Sequence, residues 1–281
     1  MITLNSVNLY NQPSFGIYFN KVNGENGKLL YRGDTKICRD DIYFPEVIDF
    51  LENKYTSVPK VNVVMHACSD GEEVYSFLGV LHSKLGEKSA KYLPVTAKDI
   101  EGEHLNLAQK GIYYVGKSEY DIANDCMNGN FYKYFNLLPY IDDDNAPPQY
   151  LIEGKGSKNE LYPKRIKVND LIKKSVKFEQ SDILEDVNHI DFKNTVLFAR
   201  NFWPYLDKKD MHQLAKRLSE RMDSSSTLII GDFDKEEADL GSVLKMYGFQ
   251  ETSAENVYEL PKNKSKSKNN NIFMYPMEFL Y

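Results

Sequence analysis

Residues 61–81 constrain this chain more than any other stretch. Val61-Asn62-Val63-Val64-Met65 is a short apolar run of the kind that a buried parallel strand makes. Ser76-Phe77-Leu78-Gly79-Val80-Leu81 reads as the opening turns of an amphipathic helix. Between them, Ala67-Cys68-Ser69-Asp70-Gly71-Glu72-Glu73 puts small residues and Gly71 on the tight turn from strand to helix. On such a turn the backbone can approach a ligand closely, and helix N–H groups point at it. The adjacent carboxylates Glu72 and Glu73 repel a phosphate. They suit a ligand that carries hydroxyls, an ammonium or a sulfonium.

Strand and helix then alternate. A strand at 92–98 leads to a helix at 101–110, and helical material spans 118–137. A strand at 195–199 leads to a helix at 207–221, and one at 226–232 leads to a helix at 234–247. This spacing predicts an α/β fold, a parallel sheet covered by helices on both faces. Residues 149–180, after an acidic Pro-containing loop at 141–148, read as short strands with one helical turn near 168–174. Residues 41–51 are helical by apolar spacing, with Pro45 in the first turn. Residues 1–34 are aromatic and carry Asn-Gly pairs that favour hairpin turns, so a small strand-rich extension is expected there. Residues 257–260 and 272–275 predict a terminal hairpin around a polar 261–271 loop.

A length of 281 residues fits one large α/β domain or one domain with a small appendage, and 42 % hydrophobic residues is ample for a core. The net charge of −6, with acids and bases interspersed, argues against nucleic acid as a partner. The longest apolar runs fall far short of a membrane span. Met1-Ile2-Thr3-Leu4-Asn5 lacks the basic and apolar regions of a signal peptide. Cys38, Cys68 and Cys126 show neither metal spacing nor a disulfide framework. A reduced, cytoplasmic protein is expected; its oligomeric state is left open. The five histidines (His66, His82, His104, His189, His212) form no recognisable ligand set and read as core or surface residues.

A parallel sheet of this kind binds its ligand beyond the carboxyl ends of its strands, beside the switch in strand order. The strand at 92–98 ends at Asp99, where a carboxylate can accept the hydroxyl protons of a ribose; read alone, Asp99 could equally cap the next helix. The first loop is not Gly-x-Gly-x-x-Gly, so an adenosine without a pyrophosphate fits better than a nicotinamide dinucleotide. Asp182-Ile183 follows a strand at 175–180, and Asp182 could simply form a turn. Arg200-Asn201 follows the strand at 195–199 and is poor core material.

The run Ala67-Cys68-Ser69-Asp70-Gly71-Glu72-Glu73-Val74-Tyr75-Ser76 resembles the signature of the CheR family, S-adenosylmethionine-dependent methyltransferases that esterify receptor glutamates. Further segments resemble the family in order. They are Thr35-Lys36-Ile37-Cys38-Arg39-Asp40, then Asp99-Ile100 with Gly111-Ile112-Tyr113, and Arg200-Asn201 with Tyr205. The resemblance implies a class I, Rossmann-like methyltransferase domain at 35–281, with a seven-stranded, mostly parallel sheet and an insertion around 140–170. It implies S-adenosylmethionine as cofactor and S-adenosylhomocysteine as product. It assigns cofactor binding to Thr35, Arg39, Ala67, Ser69, Gly71, Glu72, Glu73, Asp99, Ile100, Asp182, Ile183, Arg200 and Asn201. Within that set Asp182-Ile183 meets the adenine, and Arg200-Asn201 holds the methionine part. Arg39 and Tyr205 take the catalytic places, orienting the acceptor, and Trp203-Pro204 is expected to wall the pocket.

A methyl ester on a protein glutamate, such as that of a receptor, is the implied product. No general base is needed, because a glutamate is ionised near neutral pH. Several positions depart from the family pattern: Gly33, Ile37, Cys38, Lys98, Ala199, Leu206 and Asp232-Phe233-Asp234. Gly33, Lys98, Ala199 and Asp232-Phe233-Asp234 support an alternative, a degenerate module that holds the cofactor and acts through protein contacts.

Overall fold

The computed structural model describes residues 21–23, 29–31, 36–39, 41–141, 147–152 and 160–262. Helix α1 (Phe44–Lys54) starts with a proline in its first turn and buries Phe44, Val47, Ile48 and Leu51. Then follow β1 (Asn62–His66), α2 (Glu72–Leu85), β2 (Val95–Asp99), α3 (Gly102–Lys110) and α4 (Lys117–Cys126). After an appended module come β3 (Val176–Gln180), β4 (Thr195–Ala199), α5 (Lys208–Arg221), β5 (Thr227–Ile229), α6 (Asp232–Ala238), α7 (Leu240–Met246), β6 (Gln250–Glu251) and β7 (Val257–Glu259).

These seven strands form one sheet in the order β3-β2-β1-β4-β5-β7-β6. β3 to β5 pair in parallel, and β7 and β6 join antiparallel. The fold is therefore α/β, as the alternation predicts, with the seven-stranded, mostly parallel, Rossmann-like sheet that the resemblance implies. The order reverses between β1 and β4, because the chain leaves β1 towards β2 and β4 towards β5. That is the topological switch, and it places the loops after β1 and β4 side by side.

Both faces of the sheet are buried. Val63 and Met65 of β1, and Val196 and Phe198 of β4, join the core beneath α1 and α2. Val64, Leu197 and Ala199 point the other way, into the core with Leu214 and Leu218 of α5. This two-residue alternation explains why β1 and β4 read as nearly continuous apolar runs. Among the described residues, no helix is long and apolar enough to cross a membrane.

Some expected elements end elsewhere. Residues 135–137 are a strand, not helix: Phe135–Leu137 pairs with Lys164–Val168, and sheet pairing overrides the helical spacing. Lys164–Val168 also pairs with Ile112–Val115, and Tyr150–Ile152 pairs with Glu160–Tyr162. The expected insertion at 140–170 is thus part of a module that begins at Ile112. The helix read at 234–247 is two helices, broken at Asp239 with φ 47°. The strand read at 92–98 begins at Val95, because Tyr92 closes a 3-10 stretch, Gly86–Tyr92. β7 has β5 on one side and β6 on the other, so the hairpin with 272–275 is not its pairing; residues 272–275 lie outside the described residues. In the N-terminal extension, Lys21–Asn23 pairs antiparallel with Leu29–Tyr31, and residues 1–20 lie outside the description.

Gly71 sits at the switch, before the first turn of α2, with φ 86°. A Cβ there would stand 2.7 Å from Ala108 Cβ. Gly71→Ala combines left-handed strain with overpacking and is expected to lower stability by about 2–3 kcal/mol. Urea unfolding measures it; a variant as stable as the parent would show that the turn relaxes freely.

Candidate active site

The loop after β1 is held in an unusual shape. Ala67 and Ser69 join Gly71 in the left-handed region, with φ of 55° and 48°. For a residue with a Cβ this conformation costs roughly 1–2 kcal/mol. Asp99 at the end of β2 offsets the cost, because its Oδ2 accepts the Ser69 N–H at 2.7 Å. Its Oδ1 accepts the Glu101 N–H at 3.0 Å. Asp99 does not cap α3, whose N-cap residue is Glu101. A carboxylate has about four lone-pair positions. These two bonds therefore leave acceptor capacity on a group that is 7 % exposed. The loop is also gripped from outside. Tyr113 donates to the Asp70 carbonyl at 2.6 Å, and His104 Nδ1 meets Asp70 Oδ1 at 2.6 Å. The Asp70 carboxylate raises the His104 pKa by hydrogen bonding, against the opposing effect of burial.

Arg200, directly after β4, is 3 % exposed. Its Nη1 donates to Glu73 Oε2 at 2.5 Å, its Nη2 lies 3.0 Å from Asp41 Oδ1, and its Nε donates to the Ile230 carbonyl at 3.3 Å. The guanidinium thus ties the start of α2 to the segment before α1 and to the end of β5. Asn201, with φ 60°, donates from Nδ2 to Asp41 Oδ2 at 3.3 Å. Asn201 Oδ1 is buried without a hydrogen-bond partner among the described residues. The loop after β4 hangs on Asp234, which is fully buried. Asp234 accepts N–H bonds from Asn201 at 2.7 Å, Gly231 at 2.8 Å and Trp203 at 3.2 Å. Burial pushes its carboxyl up to about 6, against the pull of those N–H groups and of Arg200.

On the other side of β1, Gln180 of β3 stands in register with Asp99, and the Ser181 N–H donates to the Asp99 carbonyl at 2.8 Å. Asp182 and Ile183 therefore lie beside Asp99 and the half-buried Ile100. Asp182 caps the single helical turn Ile183–Asp186 by accepting the Leu184 N–H at 3.0 Å. Asp186, at the end of that turn, meets His66 Nε2 at 2.7 Å and Lys98 Nζ at 2.9 Å. Burial alone would raise its pKa, but the His66 and Lys98 contacts hold it well below the usual carboxylate range.

The structure brings Ala67, Ser69, Gly71, Glu73, Asp99, Ile100, Asp182, Arg200 and Asn201 to one end of the sheet. Glu72 stands beside Glu73 in the first turn of α2. Arg39 is half-buried in a segment latched to α2: the Cys38 N–H donates to Ser76 Oγ at 2.8 Å, and Ser76 Oγ donates to the Glu72 carbonyl at 2.6 Å. Tyr205 packs its ring on Phe233, with centroids 6.0 Å apart. Thr35 and Gly33 lie outside the described residues. Two expected roles change. Trp203 does not wall the pocket; it is fully buried in the α5-side core and donates to the Ala199 carbonyl at 2.8 Å. Ile183 belongs to the same core and is 8 % exposed, so little of it is available to a ring.

Reading the sequence alone missed Asp41, Asp234, Asp186 and His66. Asp41, far from Arg200 in the chain, carried no local signal. The other three depend on which side chains the sheet brings face to face, and no local pattern marks them.

The family model described as CheR methyltransferase, SAM binding domain, matches residues 33–130 and 149–247, well over half of the chain. The chain belongs to the CheR methyltransferase family. A chemotaxis protein methyltransferase of Borreliella burgdorferi is 25 % identical over 235 residues, covering 78 % of this chain and 72 % of the relative. Among solved structures, the methyltransferase domain of bacterial CtHen1-C matches with a TM-score of 0.37 and 13 % identity, over 78 % of this chain and 99 % of its own. A TehB-like SAM-dependent methyltransferase from Corynebacterium glutamicum matches with a TM-score of 0.33 and 9 % identity, over 78 % and 86 %. Here the strand order itself carries the fold.

S-adenosylmethionine is the cofactor of this CheR-family domain, and the residues present fit it. Asp99 keeps acceptor capacity for ribose hydroxyls, and Asn201 Oδ1 is a buried acceptor able to receive an ammonium N–H. Acidic residues line the first turn of α2 where a phosphate-binding loop would need none.

Two outcomes are expected from this network. Arg200→Met leaves Glu73 and Asp41 without their cation and is expected to lower stability by on the order of 3 kcal/mol. Adding Glu73→Gln and Asp41→Asn should recover part of that loss in urea unfolding; no recovery would mean that the pair does not govern it. Asp186 has a depressed folded pKa against an ordinary value of 3.8. Its stabilising contribution is therefore full above that value and lost as pH falls below it. The gap in Tm between the parent and Asp186→Asn should narrow as pH falls from about 5 to below about 4.

Proposed function

We propose that this CheR-family chain transfers a methyl group to a carboxylate on a protein, a receptor-like glutamate, and forms an ester. The observation that carries the reading is the commitment of the site's titratable groups. His66 and His104 are each bound to a carboxylate, and burial pushes the Cys68 thiol up. Burial withholds His66 and the Cys68 thiol from an alcohol or amine acceptor. A carboxylate acceptor needs no base, since glutamate titrates at about 4.3.

Bound S-adenosylmethionine supplies the methyl as a sulfonium electrophile. The work left to the protein is to hold donor and acceptor in line and to exclude water. Orientation of this kind can supply roughly 7–11 kcal/mol. Sulfonium and carboxylate neutralise one another as the methyl moves, so a dry site favours the step. Asp99 accepts from the ribose, Asp182 from the adenine amino group, and Glu73, Arg200 and Asn201 frame the methionine end. Arg39 draws the acceptor carboxylate into line from the latched segment, and Tyr205 sits beside the methyl. The chemotaxis name of the Borreliella relative supports a protein acceptor.

A second reading has its own observation. Asp232 stands where the family pattern puts a histidine, and it accepts from Asn256 Nδ2 at 2.5 Å. A chain altered there could hold the cofactor and act through protein contacts without turnover. Incubating a cell lysate with the enzyme and methyl-labelled cofactor separates the readings. Label that is released by mild base marks an ester, base-stable label overturns the carboxylate acceptor, and cofactor binding with no label supports the second reading. In the active enzyme, Arg39→Ala is expected to lower kcat roughly 10²-fold while Tm stays unchanged. Unchanged turnover would remove Arg39 from the acceptor site.

A further inference from the structure

We propose that Lys98, Asp186 and His66 form a charged clamp that sets the turn facing the adenine ring, which makes Lys98 and Asp186 positioning residues for recognition of the cofactor base. The inference rests on the reading that Asp182 faces the adenine.

The clamp joins three elements at the end of the sheet. Lys98 Nζ lies 2.9 Å from both oxygens of Asp186, and His66 Nε2 lies 2.7 Å from its Oδ2. The side chains of His66, Asp186 and Lys98 are 1 %, 10 % and 13 % exposed. Replacing such a buried pair by apolar groups of similar volume is often neutral or stabilising. The sheet register does not need it either, because β3 and β2 already pair in parallel from Val176↔Val95 to Gln180↔Asp99. The charges are therefore better explained by what they hold in place.

They hold a single turn. Ile183–Asp186 is four residues long, too short to be stable by itself. Asp182 caps its start, and Arg217 of α5 donates to the Leu184 carbonyl at 2.6 Å. Lys98 and His66 fasten its far end through Asp186. Asp182 is thus fixed from both sides, and Lys98 is chain neighbour to Asp99. One clamp therefore sets the adenine-facing turn against the ribose-facing carboxylate. This also accounts for Lys98, which departs from the family pattern and which ribose binding does not explain.

The test compares two ligands of the full-length chain by calorimetry: S-adenosylhomocysteine and S-inosylhomocysteine, whose base carries an oxo group in place of the amino group. The parent is expected to prefer the adenosyl compound at least about tenfold, since a site built to pair a donor rejects the analogue lacking it. Lys98→Met should reduce that preference at least about fivefold while inosyl affinity changes less than about twofold, and Lys98→Arg should restore it. A general loss of structure weakens both ligands alike and leaves the ratio unmoved, so an unmoved ratio in Lys98→Met overturns the clamp. If that variant fails to fold, Lys98→Met with Asp186→Leu removes both charges, and the same ratio decides. Asp182→Ser keeps a capping oxygen and removes the carboxylate. Loss of preference there with Lys98→Met unaffected rejects the clamp alone. Preference retained in Asp182→Ser rejects the adenine-facing turn, and the clamp's role with it.

Discussion

A guanidinium buried as deeply as that of Arg200 cannot stand without counter-charge, and this requirement organises the site. The desolvation of an isolated ion costs several kcal/mol even after relaxation. Glu73 and Asp41 meet it, and in doing so they draw the first turn of α2 and the segment before α1 onto the end of β4. The two loops at the topological switch are thereby joined by an ion pair as well as by sheet pairing. The fold makes the crevice available, and Arg200 decides how closely its walls approach.

Much of the acidic character of the site acts on the protein itself. Asp99 holds a left-handed Ser69, and Asp234 gathers three backbone N–H groups around a left-handed Asn201. Strained backbone persists only where its surroundings over-determine it. In this CheR-family chain the restraints come from buried carboxylates. The result is a rigid rim with acceptor capacity left over, suited to hydroxyls and an ammonium. A sulfonium donor needs a rim of that kind, because its transfer depends on alignment more than on proton movement.

Legibility followed the range of the interaction. The strand–turn–helix at 61–81 was plain because its causes are local: an apolar run, a glycine and a helical spacing. Asp99 and Arg200-Asn201 were legible as strand-end residues for the same reason. At 135–137 the helical spacing misled, since pairing with Lys164–Val168 overrides it. Trp203 was expected in the pocket and lies in the core, where its indole N–H finds the Ala199 carbonyl at the end of β4. Ile183 moved inward likewise. Which face a side chain at a strand end takes is decided by packing across the sheet.

The sequence by itself determined the fold class, the strand–turn–helix with Gly71 on its turn, and the family to which the loop motifs belong. These depend on periodicity and on residue types a few positions apart. Only the tertiary structure decided that Asp41 would balance Arg200, that Asp234 would bind the loop after β4, and that Lys98 and His66 would meet on Asp186. Those partners are 31 to 160 residues apart in the chain, with pairs such as Trp203–Asp234 and Asn201–Asp41 at the limits. Charge pairing at that separation leaves no trace in local pattern; it exists only once the sheet has set its strand ends side by side.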